Sequence, residues 1–269
     1  MSAIIRRRFT GATLVPAAPQ IDRVARGRVR VGRVRGREGV LALEVHSPLR
    51  MLVARVDRAV CLMASTVSGG LAGGDRVVID ASVEDGARAL LASSAADRVE
   101  AGERAAHADL RAQVAGGGVL AVLPAPVRCA AGAHLEQRAE IDLAPDASAA
   151  VLDLFDGDGW SMASLRADLT IAGLRDTLLI DAAHGSIARR LGRFGALARL
   201  VLAGPAFADA RARITAAVAA DGGPGAPVIE TTAGDADVLI LRLAAVTLDD
   251  ATTRLRSHLA EVTDLCGEW

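Results

Sequence analysis

The sequence contains no lysine and no tyrosine, and only 2% of its 269 residues are aromatic. All 31 basic residues are arginine, and 32 acidic residues balance them to give a formal net charge of −1. A protein that binds single-stranded nucleic acid needs aromatic side chains for base stacking and an excess of positive charge. The composition therefore argues against nucleic acid as a partner.

Cysteine is scarce as well, and the three residues Cys61, Cys129 and Cys266 lie far apart in the sequence. An odd number at this spacing offers neither a disulfide framework nor a Cys-x-x-Cys metal site. We interpret all three as buried, small apolar residues. Their scarcity fits the reducing environment of the cytoplasm.

Long hydrophobic runs are also missing, since no stretch approaches the roughly 20 apolar residues of a membrane-spanning helix. Arg6, Arg7 and Arg8 precede a short apolar stretch, which loosely resembles a twin-arginine export signal, but Pro16 interrupts that stretch. We therefore expect a cytoplasmic protein without a membrane partner, and export is the weaker alternative.

Signatures of catalysis and of tight cofactor binding are lacking too. A phosphate-binding loop needs Gly-Lys-Ser/Thr at the start of a helix, and the chain has no lysine. The five histidines never form a pair at helical spacing, so no zincin-type metal site can be written. The sequence predicts no catalytic residues, no closed metal site and no tightly bound cofactor.

What the sequence does contain is a concentration of glycine just before a β-branched segment, 76–80. Glycine adopts positive φ and allows another part of the chain to approach closely. The pattern predicts a tight turn between two strands that delivers a carboxylate to the start of the second strand. The residues of this stretch are Ser68, Gly69, Gly70, Leu71, Ala72, Gly73, Gly74 and Asp75.

Apolar and polar residues alternate repeatedly through the first two-thirds of the chain. The clearest case spans 133–143, where Leu135, Ala139 and Ile141 share one face and charged residues occupy the other. This period of two predicts half-buried strands, and turn signals recur about every 10 to 15 residues. The pattern predicts a mainly β fold of many short strands, in which a sandwich, a barrel and a β-helix all remain open.

The last third of the chain changes to helical periodicity. Apolar residues recur at helical spacing over 206–220, between Pro205 and a glycine-rich stretch. A second helix is predicted over 248–265, where Thr247 followed by Asp250 forms a capping-box pattern. We therefore expect two helices in the C-terminal third.

An acidic cluster formed by Asp153, Asp156 and Asp158 lies at a glycine-containing turn. Alternate carboxylates can hold a hard cation, although the spacing is not that of the calcium-binding loop. A solvated β-turn is the simpler interpretation.

The glycine-rich stretch resembles the Ser-Gly-Gly-hydrophobic-x-Gly-Gly-Asp signature of the urease accessory proteins called UreD or UreH. Further segments are similar and occur in the same order, namely 86–99, 123–137 and 194–196. The resemblance extends from Gly27 to Leu265, nearly the whole chain. The glycine signature is its most specific part.

Several positions depart from the pattern of that family. Ala125 stands where the family usually has aspartate, and Arg98 replaces a lysine. Cys129 falls in a stretch that is usually bulky and apolar, and Asp158-Gly159 stands near an expected Gly-Arg pair. Any family site that includes the carboxylate at this position is incomplete here, because Ala125 has none. The chain is identified as a divergent member of the family.

The resemblance implies a chaperone and not an enzyme. It implies a single β-helix-like domain, 27–269, that includes the two helices and follows an N-terminal segment, 1–26, whose flexibility is left open. The implied partners are apo-urease, a UreF-like protein and a UreG-like GTPase, with which the chain would help deliver nickel to urease. GTP would be bound by the partner and not by this chain, and nickel would only be in transit.

Nickel in transit needs oxygen ligands along a wet interior path and no tight cage, because the ion must be released again. Asp75, Asp80 and Asp153 are therefore the candidate nickel-path carboxylates. Ordinary hydrogen-bonded aspartates at strand ends are the competing interpretation. We expect Asp75→Ala to lower urease activation and to leave folding largely intact.

Two other function classes remain as alternatives. A carbohydrate-active β-helix enzyme would pair carboxylates in a cleft lined with aromatic residues, which two tryptophans and four phenylalanines do little to support. A non-catalytic β interaction scaffold unrelated to urease is the second alternative, and composition does not separate it from an accessory protein.

Overall fold

The structure is a computed structural model that describes residues 23–56, 58–93, 97–157, 160–220, 226, 228–234 and 237–266. The export-like arginines, most of the expected segment 1–26 and the pair Asp158-Gly159 lie outside these residues. The first strand already begins at Val24, within the segment that the sequence separates from the β domain.

Eighteen strands and three α-helices occur within the described residues. The strands are β1 (Val24–Val34), β2 (Arg37–His46), β3 (Leu49–Val56), β4 (Ala59–Thr66), β5 (Gly70–Leu71), β6 (Arg76–Val83), β7 (Arg88–Ser93), β8 (Asp97–Val99), β9 (Ala106–Val114), β10 (Val119–Leu123), β11 (Val127–Cys129), β12 (His134–Leu143), β13 (Ser148–Asp156), β14 (Ser164–Ile171), β15 (Leu174–Asp181), β16 (Ala196–Ala203), β17 (Val228–Gly234) and β18 (Val238–Ala245). The helices are α1 (Ile187–Leu191), α2 (Ala208–Ala220) and α3 (Leu248–Cys266).

The strands form two large sheets that share a hydrophobic core. The seven-stranded sheet has the order β15-β14-β12-β9-β6-β1-β2. The eleven-stranded sheet runs β17-β18-β16-β13-β10-β7-β4-β3 and also includes the short strands β5, β8 and β11.

Successive strands stack in parallel in both sheets. In the eleven-stranded sheet β4, β7, β10 and β13 pair in parallel, and in the seven-stranded sheet β6, β9, β12 and β14 do the same. The chain passes from one sheet to the other and back, so each coil stacks on the coil before it. This β-solenoid-like stack confirms the mainly β prediction, and it selects the β-helix among the three architectures that strand spacing leaves open.

Hydrophobic side chains fill both faces of the eleven-stranded sheet. Apolar residues of both sheets meet between them, among them Val29, Leu91 and Ile141. On the opposite face of the eleven-stranded sheet, α2 and α3 cover a second layer in which Leu255 packs with strand residues such as Leu200. Full burial of such a leucine contributes roughly 2 kcal/mol, so the helices are an integral part of the fold.

The two predicted C-terminal helices are confirmed, since α2 and α3 closely match 206–220 and 248–265, and a 3₁₀ turn over Pro205–Phe207 precedes α2. The capping box of α3 is confirmed as well. The Thr247 hydroxyl accepts a hydrogen bond from the Asp250 N–H at 3.1 Å, and the Thr247 N–H donates to Asp250 Oδ2 at 3.2 Å. In the described part of the chain, none of the helices has the length and apolarity needed to cross a membrane.

Candidate functional site

The glycine-rich stretch forms one corner of a coil, between β4 and β6. Gly70 pairs with Arg98 of β8, and a Cβ atom at Gly70 would lie 2.3 Å from the Arg98 carbonyl oxygen. Gly69 and Gly74 have φ angles of +70° and +86°, which residues with a side chain rarely adopt. The predicted turn between two strands is confirmed, and its glycines provide both positive φ and close approach.

Asp75 closes this corner and is only 4% exposed. Its carboxylate accepts hydrogen bonds from the Ala72 N–H at 2.8 Å and from the backbone N–H and Nε of Arg23 at 3.3 and 3.1 Å. Burial alone would raise the pKa of Asp75, but the bonds from Arg23 and Ala72 outweigh burial and hold that pKa below its usual range. Asp75 therefore fastens the glycine turn to the start of β1.

A cavity of about 170 Å³ lies between the two sheets. Its polar side chains include Gln137, Asp153 and Arg199. None of its described lining residues is aromatic, so it lacks the stacking surface that a carbohydrate-active enzyme would need. Much of the wall is apolar, with contributions from Val77, Ile79, Leu91, Leu110, Val122 and Val151.

Asp153 and Arg199 form the charged centre of this cavity wall. They are register partners on β13 and β16, and Arg199 Nε donates to Asp153 Oδ2 at 2.9 Å. Arg199 Nη1 donates to Asp176 Oδ2 at 3.0 Å and to the Ala167 carbonyl oxygen at 3.1 Å. Burial alone would lower the pKa of Arg199, but the two carboxylates outweigh burial and raise it. Arg199 is therefore a buried, permanently charged partner of Asp153.

The structure separates the three candidate nickel-path carboxylates. Asp153 lines the cavity, whereas Asp75 borders a smaller pocket that shares Thr66, Leu71 and Val77 with it. Asp80 lies on the outer face of the seven-stranded sheet, because side chains alternate along β6 and its neighbour Ile79 lines the cavity. Asp153 is thus the only one of the three that the described residues bring to the cavity wall.

Two further aspartates, Asp109 and Asp168, border the cavity. Their carboxylates are bound to Arg76 and Arg166, whose side chains are 50% and 53% exposed. Both aspartates are therefore already paired with arginines that reach the protein surface.

The acidic cluster does not assemble into a metal site within the described residues. Asp153 contacts Arg199, and Asp156 contacts Arg128. Among the described residues, no group of three or more His, Cys, Asp or Glu is placed to hold a metal ion. Any cation at the cavity would therefore rely on few protein ligands and on water.

None of the three cysteines is among the described residues that line the cavity between the sheets. Cys61 and Cys266 are buried, which confirms their interpretation as small apolar residues, whereas Cys129 is only partly buried. Burial raises the pKa of the Cys129 thiol to about 11 and that of Cys266 to about 12. In the metal-free protein both thiols are therefore protonated near neutral pH.

Sequence reasoning missed three residues of the polar centre, namely Gln137, Asp176 and Arg199. Two of them carry a recognisable signal. Arg199 is the one charged residue of the otherwise apolar strand β16, and Gln137 occupies an inward position of β12, in phase with Leu135. A lone polar residue at a position that the alternation assigns to the core indicates a buried polar contact.

The sequence matches the family described as UreD urease accessory protein over residues 23–267. Urease accessory protein UreD of Sorangium cellulosum (strain So ce56) is 33% identical over 72% of this chain and 66% of its own length. Urease accessory protein UreD of Anaeromyxobacter sp. (strain Fw109-5) is 32% identical over 95% of this chain and 91% of its own length. Urease accessory protein D of Oryza sativa subsp. indica is 27% identical over 70% and 68%, respectively.

Proposed function

The chain belongs to the UreD family of urease accessory proteins, and on this basis we propose that it is a non-enzymatic chaperone that scaffolds apo-urease with UreF-like and UreG-like proteins. In this proposal the complex forms in the cytoplasm and inserts nickel into urease at the expense of GTP. The UreG-like partner binds the GTP, and this chain holds no cofactor tightly.

The observation that carries the proposal is the extent of the family match, residues 23–267. This range contains the glycine corner, every coil of the solenoid and both long helices. Stacked coils contact mainly their neighbours and leave extended side surfaces, which suit a protein that holds several partners at once.

In this proposal nickel passes through the space between the two sheets. Asp153 supplies a carboxylate at the wall, and the surrounding residues are largely apolar. A single carboxylate that is already paired with Arg199 binds a cation more weakly than a complete ligand cage does, and weak binding permits release. Asp75 and Asp80 stay candidates for the same path, although they lie at the glycine corner and on the outer face.

The test is a pull-down with the tagged chain from cells that also produce the urease subunits and the other accessory proteins. We expect the tagged chain to recover urease together with the UreF-like and UreG-like proteins. Mass spectrometry identifies the recovered proteins, and circular dichroism establishes that the bait is folded. Recovery of none of these proteins by a folded bait would refute the scaffold.

A Gly70→Ala variant serves as a matched control for the pull-down. The added Cβ would collide with the backbone of the next coil at 2.3 Å and so disturb the solenoid without altering any charge. We expect this variant to recover less of all three partners. Recovery equal to that of the unmodified chain would indicate that the partners bind the tag or an unfolded region.

A further inference from the structure

Arg199 stands between two separate spaces of the molecule. It lines the cavity between the sheets, and it also lines a groove of about 230 Å³ beside β17 and β18. The groove is partly apolar and open, since Ile229 in its wall is 45% exposed. Among the described residues Arg199 alone belongs to both linings, so its side chain forms part of the partition between cavity and groove.

The contacts of Arg199 tie the two sheets together at this partition. Asp153 lies on the eleven-stranded sheet, whereas Ala167 and Asp176 lie on the seven-stranded sheet. Asp176 in turn contacts Arg242 at the groove, whose side chain is 44% exposed. A continuous chain of charges therefore runs from the cavity to the surface: two carboxylates and two guanidinium groups in alternation.

The same contacts determine how a cation meets Asp153. Arg199 is 3% exposed on its side chain and engages Asp153 through both Nε and Nη2. A divalent cation that enters the cavity encounters a carboxylate whose charge is already balanced. The cation must displace the Arg199 guanidinium before it can bind the Asp153 carboxylate. The free energy of the lost Arg199–Asp153 interaction therefore weakens the binding of the cation.

Gln137 adds an acceptor near this position. Its Oε1 atom is buried without a hydrogen-bond partner, and its residue lines the cavity. Gln137 is the register partner of Ala167, the residue whose carbonyl oxygen accepts from Arg199. A buried acceptor that is unpaired in the protein is satisfied by water or by a bound cation.

We propose that Arg199 is a gate residue: it competes with a hydrated divalent cation for Asp153, and Gln137 Oε1 is the second protein ligand of that cation. The inference rests on the proposed function, because it takes nickel as the cation in transit. Water molecules supply the remaining ligands of the cation, because the protein offers it only one amide oxygen and one carboxylate. The competition keeps nickel binding weak and exchangeable in the intact protein.

The experiment measures Ni²⁺ binding to the purified full-length chain, by calorimetry and by equilibrium dialysis with radioactive nickel. Arg199→Met removes the competitor, so we expect nickel to bind at least about tenfold more tightly at one site. Adding Asp153→Asn to this variant should abolish the gain. The double variant Arg199→Met/Gln137→Leu should bind nickel at least about threefold more weakly than Arg199→Met alone.

Arg111→Met is the control, because it removes an arginine from another carboxylate, Glu140, on the outer face of the seven-stranded sheet and away from the cavity. We expect its nickel affinity to equal that of the unmodified chain. If Arg199→Met does not fold, Arg199→Lys replaces it. A lysine ammonium cannot hold both carboxylates in a planar fork, and we expect a gain of about threefold or more.

Equal nickel affinity in the unmodified chain and in a folded Arg199 variant would overturn the gate. A gain that survives Asp153→Asn would overturn the assignment of the ligand. The readout needs no urease, so it is independent of the pull-down. If the nickel affinities of the variants follow the expected order but the pull-down recovers no partner, the scaffold alone is refuted. If the pull-down recovers the partners but the nickel affinities do not follow that order, the gate alone is refuted.

Discussion

His258 Nε2 lies 2.7 Å from Glu230 Oε1, and the two side chains are 3% and 5% exposed. Arg254 donates from Nε and Nη2 to the other oxygen of the same carboxylate, at 2.9 and 2.7 Å. These contacts attach α3 to the edge strand β17. Because both Glu230 oxygens are engaged by basic groups, this carboxylate is a buried anchor of the C-terminal helix.

We expect Glu230→Gln to destabilise the fold by about 3 kcal/mol, since breaking a buried charge pair leaves its partners uncompensated. Urea unfolding monitored by circular dichroism measures the change. Glu140→Gln is the control, because Glu140 is 49% exposed and 3.8 Å from Arg111, and it should change stability by less than about 0.5 kcal/mol. Equal effects of the two variants would contradict the anchor.

The same carboxylate predicts a pH dependence of stability. Burial alone would raise the pKa of Glu230, but the bonds from His258 and Arg254 outweigh burial and lower it. A carboxylate with a lowered pKa in the folded state contributes stability above its unfolded pKa of about 4.3, and loses that contribution as the pH falls through its folded pKa. We expect stability to decline below about pH 4.5 and to decline less steeply in Glu230→Gln. Identical slopes would exclude this role of Glu230.

At the glycine corner, we expect Gly70→Ala to cost about 3 kcal/mol, since its Cβ meets the Arg98 carbonyl oxygen at 2.3 Å. Gly69→Ala should cost only about 1 kcal/mol, because a Cβ there has open space and only the positive φ opposes it. Thermal unfolding of the two variants checks the order. The reverse order would show that backbone conformation, and not close approach, requires glycine.

Asp75 and Asp80 form a second matched pair. Asp75→Asn loses the charged acceptor for Arg23 and Ala72, and we expect a loss of about 2 kcal/mol in urea unfolding. Asp80→Asn, on the outer face, should stay within about 0.5 kcal/mol. The structure thus changes the expectation for Asp75, whose substitution is expected to affect folding as well as activation.

Asp153→Asn should lower urease activation in a nickel-limited reconstitution by at least about tenfold, if nickel uses the cavity between the sheets. Glu140→Gln should leave activation unchanged, because Glu140 is 49% exposed on the outer face of the seven-stranded sheet and is no candidate for the path. The extent of activation at excess nickel is the internal control for folding and partner binding. Equal activation by both variants would remove Asp153 from the nickel path.

Much of the fold could be predicted from local pattern. The alternation in β12 and the capping box of α3 appear in the structure where the sequence places them. Edge strands are harder to predict. Leu41, Leu43 and Val45 alternate with other residues in β2 as a half-buried strand would, yet Leu43 is 38% exposed because β2 ends the seven-stranded sheet. Alternation reports which side chains share a face and does not report whether another layer covers that face.

The candidate site was only partly predictable. The sequence indicates Asp153, but its partner Arg199 lies 46 residues further along the chain. The second partner of Arg199, Asp176, belongs to the other sheet. Such contacts depend on how coils stack, which no local period encodes. The glycine signature can be recognised in the sequence because each requirement selects glycine at its own position. Gly69 needs a positive φ, and Gly70 needs space for the backbone of the next coil.

The position of β1 has a consequence for biosynthesis. This first strand lies between β2 and β6, and its parallel pairing with β6 joins Val24 to Arg76 and Val31 to Val83. A ribosome releases the chain from its N-terminus, so β1 emerges long before the strand that completes its hydrogen bonds. The newly made strand therefore waits with one edge unpaired until residue 83 has left the exit tunnel. An unpaired strand edge is a site for aggregation, so general chaperones can protect the nascent chain in this interval.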